Sequence, residues 1–216
     1  MKNIAVILSG CGYKDGSEIT EVVSTLINIT QLKAQYQCFA PDMTIESTDH
    51  LTGESSGPRN LLSESARIAR GKVRPLQELD PEQFDALVFP GGFGAALHLS
   101  DWANKGVKSK VLPEIVTVIK NFHTNSKPIG AICIAPVLLA KVLGDKEVTL
   151  TIGNDTETIQ EIEKTGSIHE DCDVNDYITD RLNKIVTTPA YMFDEALPSE
   201  VFTGISNMLN ELVEMA

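Results

Sequence analysis

The chain has few of the features that would announce a chemistry. Its 216 residues hold 4 cysteines, at 11, 38, 133 and 172, with no CxxC pair and no finger-like spacing among them. Zinc-finger readings therefore have no basis, and without a secretory signal the cysteines read as free thiols in a reducing cytosol. Basic residues are scarce: 18 Lys and Arg stand against 30 Asp and Glu, a net charge of −12. Such a surface repels phosphate backbones and anionic headgroups, which argues against nucleic-acid and membrane-surface partners. Long apolar runs are missing too. The longest uncharged one, Pro128 to Ala140, carries two prolines and stops well short of a membrane span. The opening "MKNIAVILSG" is too short in its apolar part for a signal peptide and passes directly into a glycine turn. The expectation is a soluble, acidic, cytoplasmic protein. Its length fits one domain, residues 1–216, able to bury roughly 70 % of its unfolded surface without staples.

What is present is alternation. Ile4 to Leu8 is a continuous β-branched run closed by "SGCG", the pattern of a buried strand ending in a turn. A helix is expected from Ser17 to Lys33, with Ile19, Val22, Val23, Leu26 and Ile29 at helical spacing. Strand Tyr36–Ala40 follows, and a short hairpin fits the polar stretch Met43 to Pro58. A helix is read over Arg59–Arg70, a strand over Ala86–Phe89, a helix over Pro113–Thr124 and a strand over Ile129–Ile132. Val137–Leu143 reads as a helix, with Gly144 as its C-cap; strand Val148–Ile152 and helix Thr156–Lys164 come next. Tyr177–Thr179 and Lys184–Thr188 flank "DRLN" as an edge hairpin, and a helix runs from Pro198 to Met215. Strands alternating with helices imply a mostly parallel sheet covered on both faces.

One stretch raises a chemical question. "GAICIAP" puts Cys133 between a strand and a helix, with Ala131 and Ala135 two residues to either side. Small residues there suit a nucleophile elbow, whose sharp turn needs close strand–helix contact. A buried, inert core cysteine is the competing reading. An elbow would also set the thiol at a helix N-terminus, which favours the thiolate. An oxyanion hole is worth more, typically a hundredfold or above. Its donors are sought in "PGGFGAALHLS", which leaves the end of another strand, where parallel-sheet sites gather. Gly91, Gly92 and Gly94 let bare backbone approach a ligand, and the Gly92 and Ile134 amides together can cradle an oxyanion. A phosphate loop is disfavoured, since no GK[ST] follows and the glycine spacing is wrong. A plain strand-to-helix turn is the bland alternative.

These motifs carry a resemblance. "FPGGFGAALHLSDWA" followed by "GAICIAP" resembles the ThiJ/PfpI family of the class I glutamine amidotransferase-like superfamily. "VILSGCGYKDGSEITE", "CFAPD", "LTGESSGPRNLLSESARIARG", "LTIGND" and "NKIVTTPAYM" narrow it to the ElbB-type branch, nearly end to end. The resemblance implies a flavodoxin-like three-layer α/β sandwich with a nucleophile elbow, and a homodimer. It also implies that a first-helix glutamate approaches the elbow cysteine. "EITE" offers Glu21 as the better match and Glu18 one turn earlier. A bland account exists for both: Asp15 with Glu18 as a capping box, and Glu21 as a solvated carboxylate on the polar helix face. Cys11, in the turn after the first strand, shares the sheet edge and is counted with the substrate-binding positions.

The family's elbow histidine is absent. Ile134 follows Cys133, "TLTIG" holds no histidine, and His50, His98, His123 and His169 have no motif around them. Amide hydrolysis needs an acid for its poor leaving group, so glutaminase or protease chemistry is disfavoured. A cysteine and a glutamate suffice for glyoxal or methylglyoxal. The resemblance therefore implies a glutathione-independent glyoxalase with a small dicarbonyl substrate, no metal and no cofactor. A redox-sensing or regulatory role of Cys133 and repair of glycated adducts remain open beside it.

Overall fold

The five consecutive buried apolar residues Ile4 to Leu8 have no polar side chain to place in water, as a strand buried on both faces requires, and β1 (Asn3–Ile7) is built on that run. The computed structural model describes residues 1–216. From β1 the chain runs through α1 (Ile19–Gln31), β2 (Gln35–Ala40), β3 (Thr44–Thr48), β4 (Ser55–Asn60), α2 (Leu61–Ile68), β5 (Val73–Pro75) and β6 (Ala86–Phe89). It continues with α3 (Phe93–Leu97), α4 (Trp102–Lys105), α5 (Pro113–Thr124), β7 (Ile129–Ile132), α6 (Pro136–Leu143), β8 (Thr149–Leu150) and α7 (Thr156–Glu163). The last elements are β9 (Ile168–His169), β10 (Ile178–Asp180), β11 (Ile185–Thr188) and α8 (Pro198–Met215).

The main sheet has seven strands in the order β10-β11-β7-β6-β1-β2-β5. All its pairs are parallel except β10–β11, the antiparallel hairpin expected at the edge. Helices α1 and α8 pack on each other over one face, with α2 beside α1, and α5 and α6 lie over the other. The result is the flavodoxin-like three-layer sandwich. Its centre is one continuous apolar cluster that includes every residue of β6 and all of β7 except Gly130. Gly130 leaves room for Met208 and Leu212 of α8. No helix is long and apolar enough to cross a membrane.

Four local expectations need correction. The first helix begins at Ile19, and its cap is Glu18 alone, whose side chain accepts from the Glu21 amide. Asp15 does not share in a capping box; its carboxylate accepts instead from the Thr48 amide at 2.6 Å. The second helix starts two residues late because β4 extends to Asn60, which then caps α2. Val148–Ile152 shortens to β8, which joins β9 in a separate two-stranded sheet rather than the main one. Strands β5 and β9 have no signal of their own: one is three residues ending in proline, the other two residues long.

Candidate active site

β7 ends at Ile132, and Cys133 turns the chain with φ +60°, the left-handed region that side-chain-bearing residues seldom occupy. Holding it there costs roughly 1–2 kcal/mol. The turn is secured from both sides: the Cys133 amide donates to Thr188 O at 3.0 Å, and the Ala135 amide to Ile132 O at 3.0 Å. Ala131 and Ala135 are fully buried, so strand and helix close on each other. Pro136, with no N–H to satisfy, opens α6.

The Cys133 side chain is nearly enclosed, with the residue 7 % exposed. Burial pushes its thiol up, the Glu21 charge pushes it further, and hydrogen bonds from the Gly92 and Ile134 amides pull it back; the balance lies well above the ordinary thiol range. The two amides expected to face an oxyanion thus already converge on the sulfur.

Glu21 is 0 % exposed, on the opposite side of α1 from the solvated position the bland reading gave it. Its Oε2 accepts from the Gly91 amide at 2.9 Å and its Oε1 from the Tyr191 amide at 3.4 Å, and it hydrogen-bonds Cys133. Burial raises its carboxyl, the charge of Glu18 adds to that, and the Tyr191 amide, the Cys133 thiol and the Gly91 amide oppose; the carboxyl is pushed up to about 8. Near neutral pH this carboxyl still holds most of its proton, and once it ionises the Cys133 thiol donates to it. Once one proton leaves, the remaining one is shared by the pair.

Glu18 stands apart from this contact. Its carboxylate caps α1 through the Glu21 amide at 2.7 Å, and its effect on the site is the charge it places beside Glu21. Burial raises Glu18 too, against hydrogen bonds from Glu21, Thr20 and Ile19. Of the acidic pair, only Glu21 meets the sulfur.

The glycine loop is required by contact. A methyl group on Gly91 would sit 2.4 Å from Cys133 Cβ and 2.5 Å from Glu21 Oε2. Gly92 has φ +95°, and a methyl there would meet Gly16 O at 2.3 Å. This loop is tied to the segment after β1: Glu18 N donates to Gly91 O, Phe93 N to Tyr13 O and Gly94 N to Gly16 O, at 2.7–3.0 Å.

Cys11 follows β1, so it shares the carboxyl edge of the sheet, but it is not among the groups acting on Cys133. It lines a separate cavity of about 40 Å³ with Asp15, Ser47, His50, Arg59 and Glu64. Burial raises its thiol, opposed by the charge of Arg67. A larger open groove of about 480 Å³, bounded by Asn3, Gln35 and Arg74, lies at the amino ends of β1 and β2, at the other end of the sheet from the elbow. All four cysteines are free. Cys38 and Cys172 are pushed up to about 12 and about 11, chiefly by burial.

The histidines are occupied elsewhere. His98 Nε2 bonds Asp15 O, His50 Nδ1 bonds Thr48 O, His123 meets Asn183, and His169 Nε2 accepts from the Ile152 amide. None acts on the Cys133 thiol. No three His, Cys, Asp or Glu side chains are grouped so as to hold a metal ion. Two contributors escaped the sequence reading, the Thr188 carbonyl and the Tyr191 amide. Both act through backbone; the available signal was that "TTPAYM" leaves β11 at the same carboxyl edge.

Known proteins resemble this chain over most of its length. Residues 72–188 match the model of the DJ-1/PfpI family. The chain is 43 % identical to the human glutamine amidotransferase-like class 1 domain-containing protein 3, mitochondrial, over 98 % of this chain and 82 % of that protein. It is 33 % identical to the zebrafish (Danio rerio) ES1 protein, mitochondrial, covering 99 % of this chain and 86 % of the relative. The crystal structure of an isoprenoid biosynthesis protein with amidotransferase-like domain from Ehrlichia chaffeensis superposes with a TM-score of 0.93 at 38 % identity, over 100 % of this chain and 99 % of the other.

Proposed function

Because the chain belongs to the DJ-1/PfpI family, we propose that it is a cofactor-independent glyoxalase of the ElbB type, converting glyoxal to glycolate through a Cys133 hemithioacetal. The observation that carries this reading is the buried Cys133–Glu21 contact, flanked by two backbone donors and free of any histidine. The Cys133 thiol adds to one aldehyde carbon, its proton passing by way of the Glu21 carboxylate to the new oxygen, which the Gly92 and Ile134 amides hold. The Glu21 carboxylate takes the hydrogen of that carbon as a proton, giving an enediol, and returns it to the neighbouring carbon. The product is a glycolyl thioester, which water cleaves to glycolate and free thiol. Atoms balance as glyoxal plus water to glycolate plus a proton, and no electron leaves the pair of carbons. A carboxyl near 8 suits both taking and returning that proton around neutral pH. Methylglyoxal would yield lactate by the same steps.

The reading extends to a homodimer. Ile19, Val23 and Ile27 stand 48 %, 41 % and 41 % exposed at helical spacing on α1, beside the helix turn that carries Glu21. Four free thiols suit a reducing compartment such as the cytoplasm.

The test is glycolate release from glyoxal by metal-stripped protein, comparing wild type, Cys133→Ala and Glu21→Gln. Both variants are expected to lose at least about a hundredfold in kcat/KM. An undiminished rate in Cys133→Ala would sink the mechanism. Absence of turnover in wild type, with fast peroxide modification of Cys133, would favour the redox-sensing reading instead.

A further inference from the structure

Two side-chain-bearing residues at the carboxyl edge of the sheet have left-handed backbones and are almost wholly buried. One is Cys133. The other is Ala190, with φ +44° and 0 % exposure, in the turn that follows β11. A buried alanine in that region persists only when its surroundings over-determine it, and such strain gathers where geometry matters. What this turn delivers is specific. Thr188 O, at the end of β11, accepts the Cys133 amide at 3.0 Å. Three residues later, past Pro189 and Ala190, the Tyr191 amide donates to Glu21 Oε1 at 3.4 Å. Thr188 is itself fastened by its hydroxyl to Asp176 O at 2.7 Å. One four-residue segment therefore touches both reacting residues, one through an acceptor and the other through a donor.

We propose that Thr188–Tyr191 is the positioning element of this site: through the strained Ala190 it holds the Tyr191 N–H against Glu21 and so governs where the pair's shared proton resides. The proposal rests on the catalytic pairing of Cys133 with Glu21 described above. A donor on Glu21 Oε1 stabilises the carboxylate and leaves the carboxylic acid untouched. It therefore favours the proton on sulfur and the base form on Glu21, as abstraction of a carbon-bound hydrogen requires. The charged and titratable groups acting on Glu21 are Glu18 from its own helix and Cys133 from the elbow, with no Lys, Arg or His among them. Backbone amides supply the rest of its stabilisation, and Tyr191 is the one that the strained turn controls.

The experiment compares Tyr191→Pro with Tyr191→Ala. Tyr191 has φ −76°, which the proline ring permits, so proline removes the N–H while alanine keeps it and removes the same ring. Cys133 alkylation by iodoacetamide is followed from pH 6 to pH 10. Below Glu21's titration the carboxylate is scarce and the two variants should react alike. Above about 8, where wild-type Glu21 is ionised, the proline variant should alkylate faster by about two- to fivefold, the effect of one weak hydrogen bond moving the proton onto Glu21. The rising limb of any glyoxal turnover should move to higher pH in the same variant. Ala190→Val, whose branched side chain resists a positive φ, should copy the proline variant. Superimposable alkylation profiles for proline and alanine would overturn the proposal.

A measurement on wild type needs no variant to fold. The Tyr191 amide proton should shift downfield as Glu21 ionises, with its midpoint near the Glu21 value of about 8. A resonance that stays flat across that range overturns the proposal. Neither readout needs glyoxal: a protein without turnover still reports on the segment, and turnover beside a flat Tyr191 resonance removes the segment alone.

Discussion

A carboxyl that ionises near 8 inside a fully buried contact has a thermodynamic cost as well as a chemical use. Unfolded, Glu21 ionises near its ordinary value of 4.5; folded, it keeps its proton until about 8. Below the unfolded value both states are protonated and the folded state bears no penalty. Between the two values the folded chain binds the proton that the unfolded chain has released, so stability falls as pH rises, by about 1.4 kcal/mol per unit for one proton. Above the folded value both states are ionised and the loss levels off. Glu21→Gln abolishes this proton uptake. Urea unfolding should show the variant gaining on wild type between pH 5 and pH 8, by about 3 kcal/mol across that window. Parallel stability curves would mean that Glu21 ionises normally. Aspects of this residue were legible beforehand and aspects were not. Its position in "EITE" marked it as the partner of Cys133 through family resemblance, yet helical spacing alone set it on the polar face. Burial of a charged group is decided by what packs over it, here the Gly91 loop and the Tyr191 turn, and both are distant in sequence.

Among the elements, the turn after β6 and the elbow after β7 act as one part. Adjacent parallel strands bring their ends together, Phe89 being paired with Ala131. Gly91 then lies between Cys133 and Glu21 with no room for a further carbon. Gly91→Ala should force the loop away from the elbow. Overpacking of this kind typically costs about 1–3 kcal/mol, and the displaced Gly92 donor should cost about a hundredfold in turnover. Thermal unfolding and glyoxal kinetics on the same preparation would separate the two losses, and an active, undisturbed alanine variant would refute the packing argument. Elements with a long apolar period or a proline start were readable from sequence: Ala86–Phe89, Pro113–Thr124, Ile129–Ile132 and Pro198–Met215 stand where expected. The short ones were not. β5 and β9 owe their existence to a neighbour's unpaired edge, Val73 on Cys38 and Ile168 on Thr149, and a strand of two or three residues has no period to read. The Ala190 turn was hidden for a related reason. Nothing in "TPAYM" demands a positive φ at alanine; the fold imposes it.

On the scale of the whole molecule, the apolar stripe of α1 is one apolar surface that the single chain leaves uncovered. Ile19, Val23 and Ile27 belong to a helix whose other side packs on α8. A second copy meeting the stripe would remove it from water, at roughly 25 cal/mol for each Å² of apolar surface covered. Val23→Glu should therefore shift the mass measured by sedimentation from dimer to monomer, since each copy would bury an unpaired charge. A wild-type monomer at micromolar concentration would remove the dimer from the proposal.

The enclosure of Cys133 has a consequence for what the protein is able to distinguish. Neither the 40 Å³ cavity nor the 480 Å³ groove includes Cys133 or Glu21 among its walls, and the thiol sits almost flush with the packed interior. Selection at such a thiol begins before any binding contact, at the doorway. On the proposed chemistry a two-carbon aldehyde in free solution should reach the thiol more readily than the same aldehyde condensed onto a lysine or a nucleobase, which brings its carrier along. On that chemistry the protein acts on the free reagent, upstream of damage.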